Sequence, residues 1–250
     1  MGSEIILSLD NVSAGYGRIP VLHKLTFDVT RGQVFGVIGP NGSGKTTMLN
    51  ALSGLIRTAS GKILLDDKDI TRLSVDARCR RGIGRTYQIP RPFSRMSVYE
   101  NVLVSAVCGI GISESMGKEP SLDVLRATGL YEKRDLPAGM LTLLDRKRLE
   151  IARAVVARPK LLLLDEVAAG LTNAETQDLI VLVRRLKDSG FTILWIEHDL
   201  EAMMQATDSL MCMSEGCNVI IGPPAEVMAS REVETLYLGK ALEDRLHAEN

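Results

Sequence analysis

Three features of the 250-residue sequence predict an α/β fold: a core built on a parallel sheet, an N-terminal antiparallel β subdomain, and an inserted helical subdomain. First, the oily run LLLL at 161–164 enters two adjacent acids, and FTILWI at 191–196 enters EHD. Runs this short suit buried parallel strands, whereas a membrane span needs about 20 apolar residues. Second, the glycine-rich turn GPNGSGKTT at 39–47 joins an apolar run to a helical pattern. Third, residues 85–158 interrupt the alternation of strands and helices with helical periodicity.

The elements follow in order. SLDNVSAGYG and VLHKLTFDV alternate apolar and polar residues, as half-buried antiparallel strands do. GQVFGVIG is an apolar strand. KTTMLNALSG places Met48, Leu49 and Leu52 at helical spacing, and Gly54 suits the end of that helix. GKILLDDKDI returns to strand character. Within 85–158, the segments RPFSRMSVYENVLVSAV, SLDVLRATGL and DRKRLEIARAVVARP all read as helices. KLLLLDE is a buried strand. Residues 174–188 form a helix whose Leu179, Leu182, Val183 and Leu186 make an apolar stripe opposite Arg184, Arg185 and Lys187, and Gly190 ends it. FTILWIEHD is another buried strand, SLMCM to NVIIGPP a hairpin, and PAEVMAS a short helix. Residues 1–250 therefore read as a single domain with 85–158 inserted in its core.

Bulk properties narrow the function. A net charge of −1 lacks the basic excess of a nucleic-acid surface, so no nucleic-acid partner is expected. MGSEIILSLD has neither the basic start nor the long apolar region of a signal peptide, which predicts a cytoplasmic protein. Cys79, Cys108, Cys212 and Cys217 are scattered, with no histidine placed to complete a zinc site, so reduced thiols are expected.

The sharpest signal is GPNGSGKTT, which fits the phosphate-loop pattern G-x-x-x-x-G-K-[ST] between a strand and a helix. Gly39, Gly42 and Gly44 let main-chain N–H groups turn inward around phosphate oxygens, and the following helix adds its positive end. Gly39, Pro40, Asn41, Gly42, Ser43, Gly44, Lys45, Thr46 and Thr47 are thus the predicted ATP-binding loop. Lys45 reaches the β- and γ-phosphates, and the Thr46 hydroxyl coordinates Mg²⁺. The acids after LLLL stand at a strand's carboxyl end, the edge where open α/β sheets bind ligands. With that strand beside the loop's own, Asp165 comes close to the Mg²⁺ shell and holds the ion through water, and Glu166 orients or deprotonates the attacking water. His198, ending LWIEHD, is placed to contact the γ-phosphate.

Taken together, these residues resemble the nucleotide-binding subunit of ATP-binding-cassette (ABC) transporters, over nearly the whole chain. The resemblance implies a P-loop (ABC ATPase), RecA-like core, with ATP and Mg²⁺ as cofactors. It makes Tyr16 of SAGYG the adenine-stacking residue and Gln88 of RTYQIPRPF a Mg²⁺ ligand and coupling sensor. It identifies LLLLDE as the Walker B strand and His198 as the switch histidine. RTYQIPRPFSRMSVYENVLV, RLEIARA, DEVAAGLT, IEHDLEAMM and VETLYLG are closer still to the branched-chain amino acid uptake group, whereas DARCRRGIG and SVYENV also resemble ATPases of lipopolysaccharide export.

The family's Ser-Gly-Gly-Gln type signature is degenerate here. LTLLDRKRLE keeps a hydroxyl at Thr142 but has Leu143 and Leu144 at glycine positions, then Asp145. Val167 and Thr172 are smaller departures. In such transporters two cassettes dimerise head to tail, each signature closing over the partner's ATP. The implied partners are transmembrane permease subunits and a second ABC ATPase, as a heterodimer with an intact second signature; a homodimer with a shifted loop is the alternative. The resemblance places the chain on the inner face of the cell membrane. Phe93, Met96 and Tyr99 read either as an apolar surface for the permease or as core of the helical region.

Overall fold

The computed structural model describes residues 4–237. Met1 to Ser3 of MGSEIILSLD, and Leu238 and Gly239 of VETLYLG, lie outside them. Strands β1 (Ile5–Tyr16) and β2 (Ile19–Thr30) pair antiparallel, and β3 (Val34–Ile38) leads to helix α1 (Lys45–Ser53). β4 (Thr58–Leu65) returns to β1 and carries β5 (Lys68–Asp69) at its edge. Helix α2 (Val75–Arg81) and strand β6 (Ile83–Arg85) precede helices α3 (Val98–Ile110), α4 (Glu114–Ala127) and α5 (Leu143–Val155). Then come β7 (Leu161–Asp165), α6 (Asn173–Asp188), β8 (Ile193–Ile196), α7 (Leu200–Ala206), the hairpin β9 (Ser209–Ser214) and β10 (Cys217–Gly222), and α8 (Pro224–Met228). Residues 231–237 are helical.

The larger sheet runs β10-β9-β3-β8-β7-β6, parallel except for β10 at one edge. Its central strands β3, β7 and β8 are buried along their whole length and apolar up to Asp165 at the end of β7, because both faces are covered. In β7, Leu161 and Leu163 join the core toward the antiparallel sheet and α1, while Leu162 and Leu164 join the core under α6 and α7. β8 divides the same way, Leu194 and Ile196 against Ile193 and Trp195. This answers how four consecutive leucines are all buried.

The strand order corrects one expectation: β3 and β7 are not neighbours, because β8 lies between them. Strands buried on both faces carry no periodicity that names a neighbour; order is set by the helical crossovers. The insertion has a useful effect. Val37 of β3 pairs with Ile196, which pairs with Asp165, so the three strand ends are level. Two strand spacings put roughly 9.5 Å between the ends of β3 and β7, room for a phosphate group between loop and acids.

The helical segments also differ from expectation in their starts. α3 begins at Val98, since Ser97 and Glu100 form a capping box and Asn101 ties the preceding loop, accepting from Phe93 N and donating to the Phe93 and Ser97 carbonyls. α4 starts at Glu114, well before SLDVLRATGL, because Pro120 is accommodated inside it. α3, α4 and α5 share a core of Val98, Val102, Ala106, Leu125 and Leu149. α2, β6 and α7 are too short to give a periodic signal. Arg78 of α2 is buried and donates to the Ala51, Leu52, Thr71 and Leu73 carbonyls, closing the end of α1.

Candidate nucleotide site

β3 ends at Ile38, and the chain must turn at once into α1. Gly39 makes the turn at φ +150, where a Cβ would stand 2.3 Å from the Met213 carbonyl oxygen. Gly44 caps α1 at φ +100 with no side-chain hydrogen bond, so the first turn of α1 is not closed by a capping side chain. Lys45 is buried; its Nζ donates to the carbonyls of Gly39 (2.7 Å) and Pro40 (3.0 Å), drawing the ammonium into the loop's ring. Among the described residues the buried Ser43 hydroxyl has no hydrogen-bond partner. A ring of main chain, a helix N-terminus, a lysine and an unsatisfied hydroxyl together fit a polyphosphate.

Asn41, Gly42, Gly44, Lys45, Thr46 and Thr47 line a pocket of about 410 Å³ together with Glu166 and His198. The ends of β7 and β8 thus face the loop directly. Glu166 sits at φ +46, the left-handed region that few non-glycine residues adopt. Both of its carboxylate oxygens are engaged. Gln88 Nε2 donates to Oε2 at 2.5 Å, and His198 Nε2 meets Oε1 at 2.7 Å.

Asp165 is buried and ion-paired with Arg85 at 3.0 Å. Burial pushes its carboxyl above the usual range, and the Arg85 hydrogen bond opposes that shift. Arg85 also donates to Asn50 Oδ1 and Ser53 Oγ, each at 2.8 Å, and Asn50 donates to the exposed Tyr16 hydroxyl at 2.8 Å. Tyr16 is therefore connected to Asp165 through α1. Thr46, Gln88 and Asp165 line one cleft of about 810 Å³ between the sheet and the helical region. Among the described residues no cluster of three His, Cys, Asp or Glu is placed to hold a metal. Hydroxyl, amide and single-carboxylate oxygens nevertheless suit Mg²⁺, which binds through few protein ligands plus substrate phosphates.

The signature segment lies apart from this pocket. Thr142 caps α5: its Oγ1 accepts from Asp145 N at 3.3 Å and donates to Asp145 Oδ2 at 3.0 Å. Asp145 is buried against Lys133, with Arg148 3.7 Å away. Leu143 is exposed and Leu144 buried. Phe93, Met96 and Tyr99 do not form one surface. Phe93 is exposed under Arg153, whereas Tyr99 packs on the helical core, because Asn101 folds their loop back. The cleft is lined instead by Tyr87, Ile89, Arg91, Cys108 and Arg153.

Three residues that sequence reasoning passed over belong to this region. Arg85 stands within the quoted RTYQ segment. Glu197 precedes His198 and is buried; Ala168 N donates to it at 2.6 Å and the Trp195 indole at 3.2 Å, and burial pushes its carboxyl up to about 7. Lys147 falls on the buried face of α5 with Leu144, Ile151 and Ala154, and a lysine at apolar spacing was the available signal.

Fold and site define a P-loop protein of the α/β class that binds nucleoside triphosphate. Comparison with known proteins makes the assignment specific. Residues 22–169 match the ABC transporter family. The chain is similar to the high-affinity branched-chain amino acid transport ATP-binding protein BraF of Pseudomonas aeruginosa, at 33% identity over 96% of this chain and 100% of BraF. Its similarity to LivG, the corresponding protein of Escherichia coli, is 34% with equal coverage. The lipopolysaccharide export system ATP-binding protein LptB of E. coli is 31% identical over 94% of this chain and 97% of LptB. The crystal structure of the ADP conformation of MJ1267, an ATP-binding cassette of an ABC transporter, superposes with a TM-score of 0.88 at 30% identity, covering 95% of this chain and 100% of that one. The chain belongs to the ABC transporter family as an ATP-hydrolysing, ATP-binding subunit.

Proposed function

We propose that this subunit drives import of branched-chain or related amino acids through a membrane permease, on the inner face of the cell membrane. The observation that carries the catalytic part is the single pocket in which the phosphate loop meets Glu166 and His198. There Lys45 holds the β- and γ-phosphates and His198 turns from Glu166 to the γ-phosphate, while Tyr16, outside that pocket, stacks on adenine. Glu166 takes a proton from the attacking water, with Gln88 setting its orientation. Thr46, Gln88 and Asp165 would hold Mg²⁺, which when bound would supply positive charge against the phosphates. Arg85 occupies Asp165 in the present arrangement, so binding the ion requires that pairing to loosen or be shared.

Residues 85–158 act as the inserted helical subdomain that meets the permease. Full-length similarity to BraF and LivG supports amino-acid import through a permease; no helix among the described residues is long and apolar enough to cross a membrane. The closed α5 N-terminus supports a heterodimer whose second ATPase supplies an intact signature over this chain's ATP. Reconstitution in vesicles with the permease and its second ATPase tests the proposal. ATP-dependent leucine uptake that disappears with Lys45→Ala is the expected result. Turnover unaffected by Lys45→Ala rejects a dominant role for this site, and lipopolysaccharide extraction in place of uptake selects the export reading.

A further inference from the structure

Lys147 is 2% exposed and projects from the middle of α5, within the helical region, toward the nucleotide edge of the sheet. Its Nζ donates to the Gln88 carbonyl at 2.6 Å and to the Glu166 carbonyl at 3.2 Å. One ammonium therefore joins three separate segments: α5, the loop after β6 and the turn after β7. Burial holds its pKa below the ordinary lysine value, and the charges of Glu197, Glu166, Asp165 and Glu150 oppose that shift only in part. A buried ammonium bound only to neutral carbonyls is costly unless nearby charge compensates. Here nearby carboxylates, Glu166 among them, offset part of that cost.

The turn that Lys147 grips is the strained one. Glu166 is held at φ +46, and a non-glycine residue stays there only where its surroundings over-determine it. Glu166 N donates to the Ile196 carbonyl at 3.0 Å, Ala169 N donates back to the Glu166 carbonyl at 3.2 Å, and Lys147 adds the bond from the helical side. The same ammonium fixes the main chain of Gln88, whose side-chain amide holds the Glu166 carboxylate. Lys147 thus touches both the backbone of the acid and the backbone of the residue that aims it.

We propose that Lys147 is a positioning residue for ATP hydrolysis, through which the orientation of the helical region sets where the Glu166 carboxylate stands. This rests on the reading above, in which Glu166 handles the attacking water. A rotation of α5 relative to the sheet drags both carbonyls or breaks both bonds, so the acid is aimed only while α5 is seated. Arginine at 147 keeps the charge and several donors. Methionine keeps length and apolarity alone, and glutamine keeps a donor without the charge.

The test compares Lys147→Met, Lys147→Gln, Lys147→Arg and Glu166→Gln in the transporter assembled with its permease, measuring kcat and KM for ATP and the thermal midpoint of each variant. Misplacing a reacting group by about 1 Å costs on the order of 100-fold, so kcat should fall about 10- to 100-fold for Met and Gln, with KM for ATP within about twofold of wild type and most of kcat recovered by Arg. If kcat stays within about twofold for Met or Gln, if KM rises in proportion to the loss, or if neither variant folds, Lys147 is a structural strut and the proposal is overturned. Loss of turnover in Glu166→Gln alongside normal Lys147 variants defeats only this proposal. Normal turnover in Glu166→Gln defeats the role given to Glu166, and the proposal with it.

Discussion

Two helix N-termini in this molecule have opposite fates. α1 begins at Gly44, a left-handed residue with no capping side chain, after a loop whose buried Ser43 hydroxyl has no partner among the described residues. α5 begins at Thr142, whose hydroxyl is bonded to Asp145, and Asp145 is neutralised by Lys133. The same element end is thus left to a ligand in one place and satisfied from within in the other. A helix N-terminus attracts anions only while its amides lack side-chain partners and no acid stands over them. In α5 the Asp145 amide is taken by the Thr142 hydroxyl and the Asp145 carboxylate stands beside it, while Leu143 and Leu144 replace the glycines of the family signature.

The largest effect is expected on the α1 side. Glu166→Gln preserves shape but removes the carboxylate that faces the phosphate loop, so kcat should fall by about 10²- to 10⁴-fold while ATP still binds. Steady-state ATPase assays with a nucleotide-binding titration check this; unchanged turnover removes the distinction between the two helix ends.

A smaller effect concerns the acid beneath the site. Glu197 has a folded-state pKa of about 7 against an ordinary 4.5. Between those values the native chain holds a proton that the unfolded chain has released, so stability falls as pH rises through that window and levels off above it. Glu197→Gln should abolish this decline, worth up to about 3 kcal/mol, in urea unfolding at pH 5 and pH 8. Equal pH dependence in both proteins would contradict the assignment.

The smallest effect sharpens the comparison on the α5 side. Thr142→Ala should cost about 1 kcal/mol of stability, as loss of a helix cap does, with ATP turnover of the assembled transporter within about twofold. A large drop in turnover at unchanged stability would place the Thr142 hydroxyl on a nucleotide rather than on Asp145.

Much of the core was legible because its signals are local. GPNGSGKTT needs glycine where the main chain must approach closely, and LLLLDE needs an apolar run on a strand covered on both faces. Glu166 and His198 could be placed because both end such strands. The missed features are those that no local window encodes. Strand order put β8 between loop and acids, Asn101 folded 93–97 away from a helix, and Pro120 disguised the start of α4. Arg85 and Glu197 look like ordinary surface charges in the sequence, and only tertiary packing buries or partners them, whereas Lys147 stands at apolar spacing along α5.

The most direct test is a crystal structure of this chain with a non-hydrolysable ATP analogue. The phosphates should be ringed by the Gly39–Thr47 main chain, with Lys45 on them and the Glu166 carboxylate turned toward the terminal phosphate. Phosphates bound elsewhere, or Glu166 facing away from them, would contradict this arrangement.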